Sequence, residues 1–154
     1  MSRRNQITMT PEEAASFLDE QTTVICATNG PDGWPHLMPL WYVLRDGTAW
    51  AWTYAKSQKV RNLERDHRAT LQVEDGDRYE ELRGVMLRCE TVIHRDVEEV
   101  AAFGAELTAR YAETGVDPEA FREVVRAQAA KRVALEFRER DRVTWDHRKL
   151  AGVY

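Results

Sequence analysis

The chain has 154 residues, 43% hydrophobic and 31% charged, with a formal net charge of -4. That composition excludes a disordered chain, and the length fits one domain over 1–154 with a core of its own. The acidic balance excludes a nucleic-acid-coating protein, and no apolar run approaches the roughly 20 residues of a membrane span.

MSRRNQ has no apolar run behind its arginines, so it is not a secretory signal, and a cytoplasmic location is expected. Thr10-Pro11-Glu12-Glu13 then starts a helix: Thr10 caps, Pro11 suits the first position and Glu13 completes a capping box, with the helix reaching about Asp19. TTVICATN (22–29) is β-branched and apolar, hence a strand, and Gly30-Pro31-Asp32-Gly33 is a turn. WPHLMPLWYVLRD (34–46) reads as one long strand, Asp46-Gly47 as a hairpin turn and TAWAWTY (48–54) as the return, with Trp50 and Trp52 on one face. A helix opens at Ser57 and runs to about Arg65. RATLQVED (68–75) and ELRGVMLRCETVIH (81–94) are strands, a helix follows from Asp96 to about Ala112, and Asp117-Pro118 begins another. KRVALEFRERDRVTWD (131–146) alternates apolar and charged residues, as a strand with one wet face does, and a basic tail, HRKLAGVY, follows. About six strands joined by tight turns, with a crossover helix after the third, predict an α+β chain: a small antiparallel barrel with peripheral helices. Cys26 and Cys89 lie in apolar strands without zinc-type spacing and read as buried, reduced thiols.

Two features are odd. No Asp or Glu occurs from Gly47 through Leu63, yet Lys56, Lys59 and Arg61 crowd the start of a helix, whose N-terminal end repels cations. Either a bound anion, most often a phosphate, sits among the N–H groups, the Ser57 hydroxyl and these cations, or the run is a solvated basic face. The strand 34–46 is apolar on both faces, with His36, Met38, Leu40 and Tyr42 on one and Leu37, Pro39, Trp41 and Val43 on the other. Prolines cannot donate to a ladder, so it either lines a flat, aromatic-sized slot or is a core strand with an edge defect. Arg83-Gly84 marks either a close approach by a ligand or neighbouring chain, or a bulge, and Trp145 to Lys149 form either a lip on a pocket or a solvated tail tied down by Trp145. His36, His67, His94 and His147 have no metal spacing, and no nucleophile–base pair stands out, so no metal is expected and the catalytic residue stays unassigned.

GWPHLMPLWYVL, DGTAWAWTYAKSQKVRNLERDHRATLQVED, ELRGVML and TWDHRKLAGVY together resemble the flavin and deazaflavin oxidoreductases of the split β-barrel fold, the pyridoxamine 5'-phosphate oxidase-like superfamily. Within it the chain is most similar to the branch that binds the deazaflavin coenzyme F-420. The resemblance implies a cofactor ring along His36, Met38, Pro39, Leu40 and Trp41, a ribityl chain beside Trp52 and Thr53, and a phosphate at Lys56, Ser57 and Lys59 with Arg61 nearby. It implies a homodimer with two interface sites, each closed by Arg83, Gly84 and the Trp145–Lys149 tail of the second copy. The vitamin B6 oxidases carry Arg-Lys where this chain has Gln58-Lys59, and Gln where it has Gly84. They also have a longer basic C-terminal segment than is seen here. These departures point away from that substrate and toward a larger, more anionic cofactor with an oligoglutamate tail. The function implied is hydride transfer from reduced coenzyme F-420 to a conjugated or heteroaromatic small molecule, with a proton from solvent, Tyr42 or His147. The alternatives are an FMN-binding oxidoreductase and a non-enzymatic flavin- or haem-binding protein of the same fold.

Overall fold

The computed structural model describes residues 2–111, 115 and 117–152. A one-turn helix, Arg3–Gln6 (α1), not expected from the sequence, precedes Pro11–Glu20 (α2). The capping box at α2 is formed: the Thr10 hydroxyl accepts from the Glu13 N–H at 3.2 Å, and the Glu13 carboxylate accepts from the Thr10 N–H at 2.8 Å. Ala14, Phe17 and Leu18 form the apolar stripe that α2 buries.

Seven strands follow, separated by further helices. They are β1 (Thr23–Asn29), β2 (Pro35–Trp41), β3 (Val43–Arg45) and β4 (Thr48–Tyr54), then β5 (Arg68–Asp75), β6 (Arg83–His94) and β7 (Arg132–Asp146). Gln58–Arg65 (α3) carries the chain from β4 to β5, and Val97–Tyr111 (α4) and Pro118–Ala129 (α5) lie between β6 and β7. Asp117 caps α5 by accepting from the Ala120 N–H at 3.2 Å. Ala112, where α4 was expected to end, lies outside the described residues, as do Val153 and Tyr154 of the tail. No helix among the described residues is long and apolar enough to cross a membrane.

The strands form one antiparallel sheet in the order β2-β1-β5-β6-β7-β4-β3, curled into a half-barrel. Inward residues of β1, β4, β5, β6 and β7, among them Val24, Cys26, Ala51, Leu71, Val85 and Leu135, fill it together with Phe17 of α2. A second cluster, Val100, Phe103, Leu107, Ala129 and Ala134, lies beneath α4 and α5. Both cysteines are free and buried, and burial pushes each thiol up to about 12.

The expected single strand over 34–46 is two strands. The chain breaks at Tyr42, whose ring is buried and whose hydroxyl donates to the Leu18 carbonyl. The Tyr42 carbonyl accepts from the Tyr111 hydroxyl at 2.8 Å and the Arg110 guanidinium at 3.4 Å. Tyr42 thereby spends these polar groups on α2 and α4 rather than on a ladder. β2 and β3 become the two opposite edges of the sheet, one residue apart in sequence, which is how the sheet curls back on itself.

β3 pairs with β4 only over 48–50, so among the described residues the outer edge of 51–54 has no ladder. That edge faces β2 across a split, where Trp52 of β4 and Pro39, Leu40 and Trp41 of β2 line one space. β2 pairs with β1 from Pro35 to Trp41 without a break. Its two prolines, four residues apart, point their nitrogens the same way, so the missing N–H groups fall on the free side. β2 is a sheet edge, as its prolines imply, and is not buried on both faces: Leu37 and Trp41 on one face and Met38 on the other are 58%, 56% and 44% exposed.

Candidate functional site

The basic corner forms where β4 hands the chain to α3. The Ser57 N–H donates to the Tyr54 carbonyl at 3.0 Å, turning the chain so that Ser57 occupies the N-cap of α3. Ser57 makes no capping bond, and its hydroxyl is buried without a partner. Lys59, in the first turn, is only 7% exposed. Its Nζ donates to the Thr53 hydroxyl at 3.0 Å, and desolvation holds its pKa below the ordinary lysine value. Lysine is almost never buried without a counter-charge, yet among the described residues no carboxylate pairs with Lys59, Lys56 or Arg61. Lys56 and Arg61 are exposed. The helix is fixed in place: Val60 and Leu63 are buried, and Asn62 donates to the Thr28 hydroxyl at 3.0 Å. An anion here would meet the orphan hydroxyl, the first N–H groups of α3 and a cation already stripped of water.

Two more basic residues come beside the end of β4 from far along the chain. The Lys131 carbonyl accepts from the Ala55 N–H at 3.0 Å, and Arg132 lies opposite Tyr54 in the β4–β7 ladder. Sequence reading missed both. The signal, a Lys-Arg pair opening an apolar strand, has no meaning until β7 is known to lie beside β4.

The split holds a cavity of about 530 Å³ whose walls include Pro39, Leu40, Trp41, Trp52, Thr108 and Arg132. Trp41 stacks on Tyr111 with ring centroids 4.6 Å apart and planes 10° from parallel. The Trp52 ring packs where Gly104 of α4 lacks a side chain, and a Cβ there would overlap it. Thr53 lies on the other face of β4, toward Lys59. His36 and Met38 pair with Thr28 and Cys26 on β1, and the His36 Nδ1 is buried without a partner. The structure thus gathers Pro39, Leu40, Trp41 and Trp52 around the cavity, and Thr53, Lys56, Ser57 and Lys59, with Arg61 on the same helix, at the basic corner.

The other candidates lie elsewhere in the chain. The Arg83 guanidinium sits over the Phe17 ring and pairs with Asp75 at 2.9 Å and Glu20 at 3.5 Å. Gly84 keeps regular pairing with Glu74 and Trp145, and the bulge of β6 falls at Arg88/Cys89 instead. The space left by Gly84 is filled by the Trp145 ring of the same chain, and any Cβ would overlap it. The tail is engaged locally: Arg148 pairs with Asp146 at 2.7 Å, Lys149 with Glu13 at 2.5 Å, and the His147 Nδ1 meets the Tyr79 carbonyl at 2.8 Å. Among the described residues the tail forms no lip on the cavity of its own chain. The Tyr42 hydroxyl is committed to Leu18, and burial raises its pKa, so it is no proton donor to the cavity. A larger cavity, about 630 Å³, lies against β1, β5 and β6, but its guanidinium groups are matched, Arg88 with Asp141 and Arg140 with Glu90.

A curled seven-stranded antiparallel sheet with a crossover helix at its split is the split β-barrel of the flavin-binding oxidoreductase superfamily. The pattern of the family described as Pyridoxamine 5'-phosphate oxidase matches residues 10–141, and the chain belongs to that family. A conserved hypothetical protein from Mycobacterium tuberculosis is 38% identical, with a TM-score of 0.88, over 100% of this chain and 95% of the other. A structure described as an F-420 reductase is 25% identical, with a TM-score of 0.66, over 86% of this chain and 98% of its own. The haem storage protein of Vibrio cholerae is 14% identical, with a TM-score of 0.65 over 85% and 90% of the two chains, and shares the fold. No curated protein matches the chain.

Proposed function

We propose that the chain is an oxidoreductase that uses coenzyme F-420 to reduce a conjugated or heteroaromatic small molecule. The observation that carries this reading is the buried, carboxylate-free Lys59 beside the buried, unpartnered Ser57 hydroxyl at the start of α3. These residues fit a phosphate ester, with Lys56 and Arg61 adding charge at the rim. Similarity to the F-420 reductase favours the deazaflavin over FMN, whose phosphate would suit the same corner.

When bound, the deazaflavin supplies the hydride, and the protein need only bind and orient. Pro39, Leu40, Trp41 and Trp52 form an apolar wall that excludes water and aligns flat rings. Among the described residues the wall contains no carboxylic acid and no histidine, which favours solvent as the source of the proton. The reading includes a second copy of the chain covering β2, giving a homodimer with two interface sites. The exposed Leu37, Met38 and Trp41 support it.

The test is a fluorescence titration of the purified protein with coenzyme F-420 and, separately, FMN. Tight F-420 binding with weak FMN binding is expected, followed by oxidation of the reduced cofactor in the presence of an acceptor. The reverse preference overturns the cofactor assignment in favour of an FMN oxidoreductase. Binding of haem alone would make this a non-enzymatic member of the fold.

A further inference from the structure

We infer that Arg132 is a second anion receptor, separate from the phosphate corner, for a carboxylate on the molecule that occupies the split. Four observations converge on it. Its guanidinium lies over two aromatic rings, 4.1 Å from the centroid of Tyr54 and 4.7 Å from that of Trp52. Its Nε is buried and has no acceptor. Among the described residues no carboxylate pairs with it, and the one side-chain acceptor it meets is the neutral Gln128 amide, at 3.3 Å. It forms part of the wall of the 530 Å³ cavity.

Each alternative explains less. A guanidinium kept only for its stacking would not leave a buried N–H unmatched, because an unmet charged donor carries a large desolvation cost. A structural ion pair would need an acid, and none pairs with it among the described residues. Ring faces hold the plane of the guanidinium and leave its edge for in-plane hydrogen bonds. A planar carboxylate matches that edge with two parallel bonds, whereas a lysine offers only a point charge.

Arg132 and Lys59 cannot serve one anionic group. Arg132 shares the face of β4 that carries Trp52 and Tyr54, while Lys59 reaches Thr53 on the opposite face. The occupant therefore carries two anionic groups across the free edge of β4, or two occupants carry one each. This extends the reading above by assigning charge to the ligand, and its test does not require the cofactor.

The probes are benzoate and its neutral analogue benzamide, followed by quenching of the tryptophans that line the cavity. The proteins are wild type, Arg132→Gln and Arg132→Lys, with thermal midpoints compared to confirm the fold. Benzoate is expected to bind wild type more tightly than benzamide and to lose about 10- to 100-fold with Arg132→Gln. Arg132→Lys should recover only part of that loss, and benzamide should not distinguish the variants. Benzoate that fails to bind, binds no better than benzamide, or ignores Arg132→Gln overturns the inference. Titrating the Gln variant with coenzyme F-420 and FMN then identifies the source. Loss confined to F-420 assigns the carboxylate to the cofactor tail, and no loss for either assigns it to the substrate. If wild type binds no F-420 while benzoate behaves as expected, the proposed function fails and the receptor stands.

Discussion

Lys59 carries a cost in the ligand-free protein, and two predictions follow from it. Replacing it by Met removes a buried charge without a counter-ion, and the ligand-free protein should gain about 1 kcal/mol. Cofactor binding should weaken by about 1.5–3 kcal/mol, the scale of a charge-assisted hydrogen bond. Opposite signs in denaturant melts and in fluorescence titrations are the expected pair; unchanged affinity would sink the phosphate corner. The pH dependence has a definite sign. Desolvation lowers the folded pKa of Lys59 below the ordinary 10.5. Between the two values the unfolded chain holds a proton that the folded chain has lost, so stability rises with pH across that window. The stability difference, wild type minus Lys59→Met, should therefore climb as pH approaches 10.5 and then level off. A flat difference would mean that Lys59 is not desolvated.

At the scale of elements, close approaches fix the sheet. Gly84→Ala forces a methyl into the Trp145 ring and should cost about 1–3 kcal/mol in denaturant melts. The cost should largely vanish when Trp145→Leu is the background. Tyr42→Phe leaves the Leu18 carbonyl unmet and should cost about 1 kcal/mol; no cost would show that the hydroxyl is not what anchors the break. These contacts also mark where the sequence was legible. Strands β4 and β5 were readable to the residue, because alternation and the Asp46-Gly47 turn are local signals, and the Thr10 cap was equally local. The break at Tyr42 was not, because an apolar run looks the same whether it continues one ladder or crosses to the other edge. That choice is made by Leu18, Arg110 and Tyr111, all distant in sequence. The basic corner was legible because Lys56 to Arg61 are contiguous, whereas Arg132 comes to the split only through the β4–β7 ladder. Gly84 did mark a close approach, and the neighbour it accommodates in this chain is Trp145, which only the β6–β7 ladder brings near.

At the scale of the whole molecule, the exposed apolar face of β2 calls for cover. Light scattering should give the mass of two chains, and Leu37→Glu should give one chain with weakened cofactor binding. A wild-type mass of one chain would remove the second copy from the proposed site. The prolines of β2 have a wider consequence. A free strand edge ordinarily recruits whatever strand comes near, its own neighbour or another molecule's. With donors missing at Pro35 and Pro39, β2 is a poor zipper on its open side. The missing donors oppose sealing of the barrel against the end of β4 and edge-to-edge growth of the ligand-free chain. Restoring both donors would be expected to narrow the slot and shorten the lag before aggregation.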